Sequence, residues 1–340
     1  MAAPAPRRPR SAALDAIRIL GIIAIVSGHT WPEQRALHLT ISLWQVPAFF
    51  LLAGYLWSGN RPLRGDVIHR SKALMRPYFA WLAIIGIPFV IWAWAERGQS
   101  PVRLAAGLLY GAQVGRPFSA YWFVAALFLT GVFVRACQLL PRMAVWALAV
   151  AGMIAAYLWG PTMAHTPYSV GLVLPCALFV LVGQELRKHR ARIAHAELVG
   201  LILLAVSAVL VVTGAAAPFD VKYGDFGRPV VSVLAAIGIG VALILLAEYA
   251  IARLAPRVQQ LITTLAAAGL VVLLAHAAVL YLTDTLAGWP LGLCFALALV
   301  VPWSLGVAIN RTSLAPWLAG RAYAATLDSG ERRPAVSHQT

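Results

Sequence analysis

Apolar runs of about twenty residues recur along the whole chain between short polar breaks. Roughly 20 such residues cross a hydrocarbon core as a helix, so the pattern predicts repeated membrane crossings. Reading from break to break places helices near 12–30, 38–58, 72–95, 119–140, 143–160, 168–187, 195–216, 229–253, 260–283 and 287–309. The expected fold class is all-α, a polytopic transmembrane helix bundle of about ten helices in which every backbone polar group is satisfied inside its own helix. An even number of crossings puts both termini on the same side.

The polar breaks differ from one another. The segment 96–118 is long and holds an apolar stretch, Leu104 to Tyr110, suited to lying at the membrane interface or dipping into the bundle. The segment 217–228 carries Asp220, Lys222, Asp225 and Arg228. The chain divides into a basic amino-terminal segment 1–11, one membrane domain 12–310 and a tail 311–340, whose polar end past Thr326 has the composition of a disordered segment. No internal repeat and no low-complexity block interrupts it.

Composition agrees with a membrane protein and rules out a soluble one. Of the 340 residues 61% are hydrophobic and 11% charged, whereas soluble domains carry about 25% charged residues. The net charge of +15 is explained by topology. Basic residues cluster between alternate apolar runs: Arg7, Arg8 and Arg10; Arg61, Arg64, Arg70, Lys72 and Arg76; Arg135 and Arg142; Arg187, Lys188, Arg190 and Arg192; Arg253 and Arg257; Arg311, Arg321, Arg332 and Arg333. That asymmetry is the positive-inside pattern and places both termini in the cytoplasm, with the chain multi-pass in the inner (plasma) membrane. The basic runs lack interleaved aromatics and a soluble module, which excludes nucleic acid as a partner. Membrane lipids are the obligatory surroundings, and a homo-oligomer is compatible with this composition. Cys137, Cys176 and Cys294 are isolated and lack metal-ligand spacing, so no metal site is expected. The first apolar run follows a basic leader as a signal peptide would, yet it carries Asp15, Arg18 and His29 and has no small-residue cleavage site, so it is expected to remain as a helix.

Those three residues are the first candidates for chemistry. An ionisable side chain within a membrane helix costs at least about 2.5–3.5 kcal/mol, so it needs a partner or a water-filled cavity. Arg18 and His29 are eleven residues apart, which brings them within about 20° of one helix face and about 16 Å apart along the axis. Asp15 lies one turn before Arg18 and can pair with it. The alternative is that Arg18 and Asp15 snorkel to the headgroups while His29 ends the helix at the interface.

The first run, LDAIRILGIIAIVSGHT, and four later phrases occur in an order that resembles the acyltransferase-3 family of integral membrane acyltransferases. Asp15, Arg18, Gly28 and His29 match the family's first-helix motif, with Ala16 in place of the usual Gly. PAFFLLAGYL, Pro47 to Leu56, is similar to its second-helix phrase, with Ala53 in place of Ser. RSKALMRPY from Arg70, YWFVAALF from Tyr121 and the late GLVVLLAHAAVL with His276 complete the series. No fused esterase-like domain accompanies them, which implies that transfer is finished in the bundle or handed to a separate partner.

The resemblance implies an O-acyltransferase that moves an acyl group, often acetyl, from cytoplasmic acyl-CoA to a hydroxylated sugar, glycolipid or secondary metabolite of the cell envelope. It implies His29 as catalytic centre with Arg18 and Asp15, and Arg18, Arg70, Lys72 and Arg76 holding the phosphates of acyl-CoA. Phe50, Trp122, His276 and Glu33 are its substrate-side candidates, Glu33 because it sits one turn past His29. A transporter or flippase for a lipid or sugar conjugate is the competing reading, because a bundle with a few buried charges serves transport equally well. Against it, no symmetric halves are visible and the charged track lies in one half only.

Overall fold

The computed structural model describes residues 11–59, 61–112 and 114–321. The leader 1–10 and the polar end past Thr326 lie outside the described residues. Among those described, the fold is helical throughout, and nine helices are long and apolar enough to cross a membrane. A tenth apolar helix, Ala196–Val212, is shorter.

In chain order the helices are α1 (Ala12–Thr30), α2 (Arg35–Gln45), α3 (Pro47–Tyr55), α4 (Leu63–Arg70), α5 (Arg76–Arg97), α6 (Pro101–Tyr110), α7 (Tyr121–Ala136), α8 (Arg142–Ala164), α9 (Val173–His189), α10 (Ala196–Val212), α11 (Val231–Ile251), α12 (Pro256–Leu280), α13 (Leu291–Ile309) and α14 (Ala315–Leu318). Two single turns of the wider π-helix extend this list, Ser71–Met75 joining α4 to α5 and Tyr281–Leu286 continuing α12. Wider turns of this kind often occur at functional positions.

The expected helix 38–58 is two helices. Pro47 has no N–H to give to the turn before it and its ring crowds that turn, so α2 ends at Gln45 and α3 starts with Pro47 in its first turn. The stretch 104–110 is the end of α6, whose amino terminus is capped when Ser100 accepts from the Arg103 N–H and whose end is Gly111 in the left-handed conformation. It packs against α5 and buries only Leu108. Residues 311–321 are not a free tail: Trp81 donates its indole N–H to the Leu318 carbonyl, 2.9 Å, and α14 lies against α5.

The first helix is the hub. It packs against α2, α3, α11, α12 and α13, which buries much of its apolar surface together with Asp15. Elsewhere glycines allow close backbone approach. A Cβ at Gly54 on α3 would lie 1.9 Å from the Val180 carbonyl oxygen of α9, and one at Gly183 on α9 would lie 2.0 Å from that of Leu51. The two backbones touch, which is how membrane helices gain packing without a hydrophobic driving force. Gly183→Ala is expected to force them apart, with an overpacking cost of about 1–3 kcal/mol. A clear fall in the thermal unfolding midpoint in lipid nanodiscs checks this; an unchanged midpoint contradicts the contact.

The segment between α10 and α11 is folded. Asp220 and Asp225 form an isolated antiparallel bridge, and Phe219, Val221 and Phe226 are buried. The Ser232 hydroxyl accepts from the N–H groups of Ala217 and Arg228, 2.8 and 2.9 Å, which closes the loop onto the start of α11. This segment covers the His29 end of α1.

Candidate active site

Both ends of α1 open into cavities. At the carboxyl-terminal end His29 lines a cavity of about 300 Å³ together with Ser42 and Gln45 of α2, Trp122 of α7, and Asp220 and Lys222 of the folded segment. At the other end Arg18 and Asp15 line a larger one of about 830 Å³.

His29 does not stand alone. Its Nδ1 lies 2.8 Å from Nε2 of His276 on α12, and the two rings are within 12° of parallel. His276 Nδ1 lies 2.9 Å from the Val272 carbonyl oxygen one turn back. A carbonyl can only accept, so His276 carries its proton on Nδ1, and its Nε2 is the acceptor. His29 must therefore donate from Nδ1, which leaves Nε2 of His29 with a lone pair. A relay of two imidazoles thus fixes the tautomer of the one that faces the cavity.

The backbone at His29 is also held. Near a helix end the carbonyls have no partner within the helix. Arg116 supplies one, donating to the His29 carbonyl oxygen while its other terminal nitrogen pairs with Asp284 in the π-helical turn after α12. α1, the segment before α7, and the end of α12 are thereby tied together at the site.

The remaining wall is polar and partly charged. Lys222 donates to the Val114 carbonyl, 3.0 Å. Burial pushes the Asp220 carboxyl above its ordinary range and the Lys222 ammonium below its own. Both shifts favour the neutral form, as desolvation does.

At the opposite end Arg18 pairs with Asp15 at 2.6 Å, the carboxylate being 1% exposed and the guanidinium side chain 32%. Arg61 and Arg187 face the same cavity. Tyr55 donates to Glu248, 2.5 Å, and Arg190 pairs with the other oxygen of that carboxylate at 2.6 Å. Trp57 forms part of the wall, with the guanidinium groups of Arg70 and Arg135 at 4.8 and 4.4 Å from its ring. Both of these arginines are anchored on Asp66, at 2.7 and 3.1 Å. The Trp57 indole N–H is buried and has no hydrogen-bond partner among the described residues.

Between the two cavities α3 packs on α1. Phe49 of α3 lies against Gly21, where a Cβ would sit 2.7 Å from its ring, and meets Phe123 edge-on. On the face that Arg18 and His29 share, the residues between them, Ile22 and Ile25, are apolar and buried, so the polar groups of α1 sit at its two ends.

A family model for acyltransferase domains matches residues 11–309, nearly the whole chain. The chain belongs to the acyltransferase-3 family. No curated protein and no solved structure matches it. The molecule is thus a multi-pass membrane acyltransferase acting on groups other than aminoacyl groups.

Set against the sequence reading, this acyltransferase gathers some of the expected residues and disperses others. Trp122 lines the His29 cavity, and Asp15 pairs with Arg18 as expected. His276, expected beside the substrate, is 0% exposed and lies behind His29, where it acts on the imidazole. Glu33, expected on the substrate side, is exposed and lines neither cavity. Phe50 is fully buried and meets Phe123 edge-on, a packing position. Of the basic group, Arg70 is bound to Asp66 behind Trp57, Arg76 stacks on Trp317 with its guanidinium 4.6 Å from the ring, and Lys72 is exposed on the π-helical turn before α5. None of the three lines the Arg18 cavity. The residues not anticipated are Arg61, Arg187, Arg116, Asp284, Asp220 and Lys222. A signal for Arg116 and Asp284 exists, since each is a lone charge that the positive-inside pattern leaves unexplained.

Proposed function

We propose that the protein transfers an acyl group, acetyl in the first instance, from cytoplasmic acyl-CoA to a hydroxyl of an envelope sugar, glycolipid or secondary metabolite, with His29 as general base. The observation that carries this reading is the relay Val272 carbonyl, His276, His29, because it leaves a free lone pair on an imidazole that lines a cavity of substrate size. The reaction needs a base at that place and no redox partner. The acceptor O–H gives its proton to His29 Nε2 as its oxygen bonds to the thioester carbonyl carbon. The C–S bond then breaks, and the departing thiolate takes the proton from His29, leaving an ester and CoA thiol.

The donor enters from the Arg18 end, which the positive-inside pattern assigns to the cytoplasm. Arg18, Arg61 and Arg187 offer charge-assisted donors to its phosphates, and the Trp57 N–H adds an unused one. Buried apolar side chains, Ile22 and Ile25, lie on α1 between that end and His29, so the acyl arm must make its way past a packed apolar stretch. The acceptor occupies the His29 cavity from the outer side.

The test is purified protein in nanodiscs with labelled acetyl-CoA, read as CoA release and transfer, together with mass spectrometry of envelope lipids and glycans from cells with and without the protein. No CoA release and an unaltered envelope would overturn the reading. Donor binding gives a sharper expectation. Arg18→Ala should weaken acetyl-CoA binding roughly 10–100-fold, the range for losing one charged hydrogen bond. Arg76→Ala, already stacked on Trp317, should change it little. Raising salt should weaken wild-type binding. Equal affinity of Arg18→Ala and wild type in a binding assay removes Arg18 from the donor site.

A further inference from the structure

Hydroxyl-bearing side chains inside these helices usually return their proton to a carbonyl one turn back. Ser27 donates to Ile23, Thr30 to Val26 and Thr40 to Ala36, at 2.7–2.8 Å. Ser42 departs from this habit. It is 2% exposed, lines the His29 cavity, and its Oγ has no hydrogen-bond partner among the described residues. One turn on, Gln45 faces the same cavity with a buried Oε1 that also has no partner among the described residues.

Buried polar atoms are nearly always satisfied, and two unsatisfied ones on one wall of one cavity mark where a ligand's polar groups sit. Their position relative to His29 is fixed. A Cβ at Gly28 would lie 3.8 Å from Gln45 Oε1 and 3.9 Å from Nε2, so the amide lies beside the residue that precedes the base. Ser42 and Gln45 are three apart in sequence and project from the same face of α2.

We infer that Ser42 and Gln45 form a specificity-determining subsite for a second hydroxyl of the acceptor, next to the one that His29 deprotonates; this rests on the acyl-transfer reading above. The chemistry of the wall selects that group. The Gln45 amide accepts through Oε1 and donates through Nε2, and a serine hydroxyl does both, so a neutral hydroxyl satisfies either one from both sides. An acceptor with a single hydroxyl engages His29 and leaves Ser42 and Gln45 buried without partners, which costs affinity. The volume of about 300 Å³ stands at the small end of ligand cavities, about 300–1,000 Å³, and suits one ring rather than an extended chain. Trp122 and Phe123 supply an apolar wall for the C–H face of such a ring, and Asp220 a further acceptor. The acceptor is thus a vicinal diol or polyol presented as a single ring.

The experiment measures binding without donor, by saturation-transfer NMR on the full chain in nanodiscs. The probes are methyl glucoside, methyl galactoside, methyl mannoside and vicinal cyclohexanediol, with cyclohexanol as the one-hydroxyl control. At least one diol or glycoside is expected to bind wild type about tenfold more tightly than cyclohexanol, the value of one to two hydrogen bonds. Ser42→Ala and Gln45→Leu should bring that ratio toward one, whereas Ser42→Thr, which keeps the hydroxyl, should preserve it. Thermal midpoints identify any variant that does not fold, and the remaining variant then decides. A wild type that prefers none of the probes over cyclohexanol overturns the subsite, as does an undiminished ratio in the folded Ser42→Ala and Gln45→Leu proteins. A second arm adds acetyl-CoA and reads CoA release. Diol binding through these two residues without CoA release would sustain the subsite and remove acyl-CoA as donor. CoA release at equal rates with diol and cyclohexanol would do the reverse.

Discussion

His29→Ala is expected to remove about 10²–10⁴-fold of the transfer rate, the contribution typical of a positioned general base. The loss should fall on turnover, with acetyl-CoA affinity nearly intact, because the donor contacts proposed at Arg18, Arg61 and Arg187 lie in the other cavity. Folding should also be largely preserved, since His29 lines a cavity and its backbone carbonyl remains available to Arg116. The same lone pair on Nε2 could attack the thioester directly. The two roles separate when donor is supplied without acceptor: a base leaves no adduct, whereas a nucleophile leaves an acyl group on His29 that mass spectrometry detects. A folded His29→Ala protein that transfers acyl groups at the wild-type rate would remove His29 from the chemistry, whichever role is assigned to it.

The bundle was legible in the sequence because membrane helices are written in uninterrupted apolar runs, and the expected segments overlie the observed ones throughout. At Val46–Pro47 the hydropathy runs on unbroken, but the proline's ring and missing N–H end α2 there. The charged first helix was legible as well, since the periodicity that puts Arg18 and His29 on one face is local. What packs against the helix between them is not legible, because Phe49 comes from α3 and reaches Gly21 only through tertiary packing. The same limit hid the relay. His29 and His276 are 247 positions apart, and nothing near either residue records the other. Glu33 is the carboxylate nearest to His29 in sequence, yet it lies past the end of α1 and is exposed. The basic stretch before α5 misled for another reason: positive-inside composition marks the side of the membrane but says nothing of which guanidinium is already held by Asp66 or Trp317. Asp220 and Lys222 belong to irregular backbone, whose course over the cavity no hydropathy pattern encodes.

The second large effect is expected at His276, which touches no substrate and works through its neighbour. In His276→Ala the Nδ1–H of His29 loses its acceptor, so the proton is free to move to Nε2 and the ring is free to turn. Both changes subtract from the population with a lone pair aimed at the acceptor, and turnover should fall about 10²-fold, the lower end of the general-base range. KM for the donor should stay close to wild type, a split that general loss of structure would not produce. Removing a buried imidazole also leaves a cavity, so the thermal midpoint should drop, and this cost must be separated from the positioning role. Two measurements do so. His276→Gln keeps an acceptor oxygen near His29 and should recover part of the lost turnover, while His276→Leu, similar in bulk and without an acceptor, should not. Added imidazole, small enough to enter the space vacated in His276→Ala, should raise turnover in that variant and leave wild type unchanged. Equal turnover in His276→Gln and His276→Leu, with no response to imidazole, would reduce His276 to a packing residue and leave the tautomer of His29 without its cause.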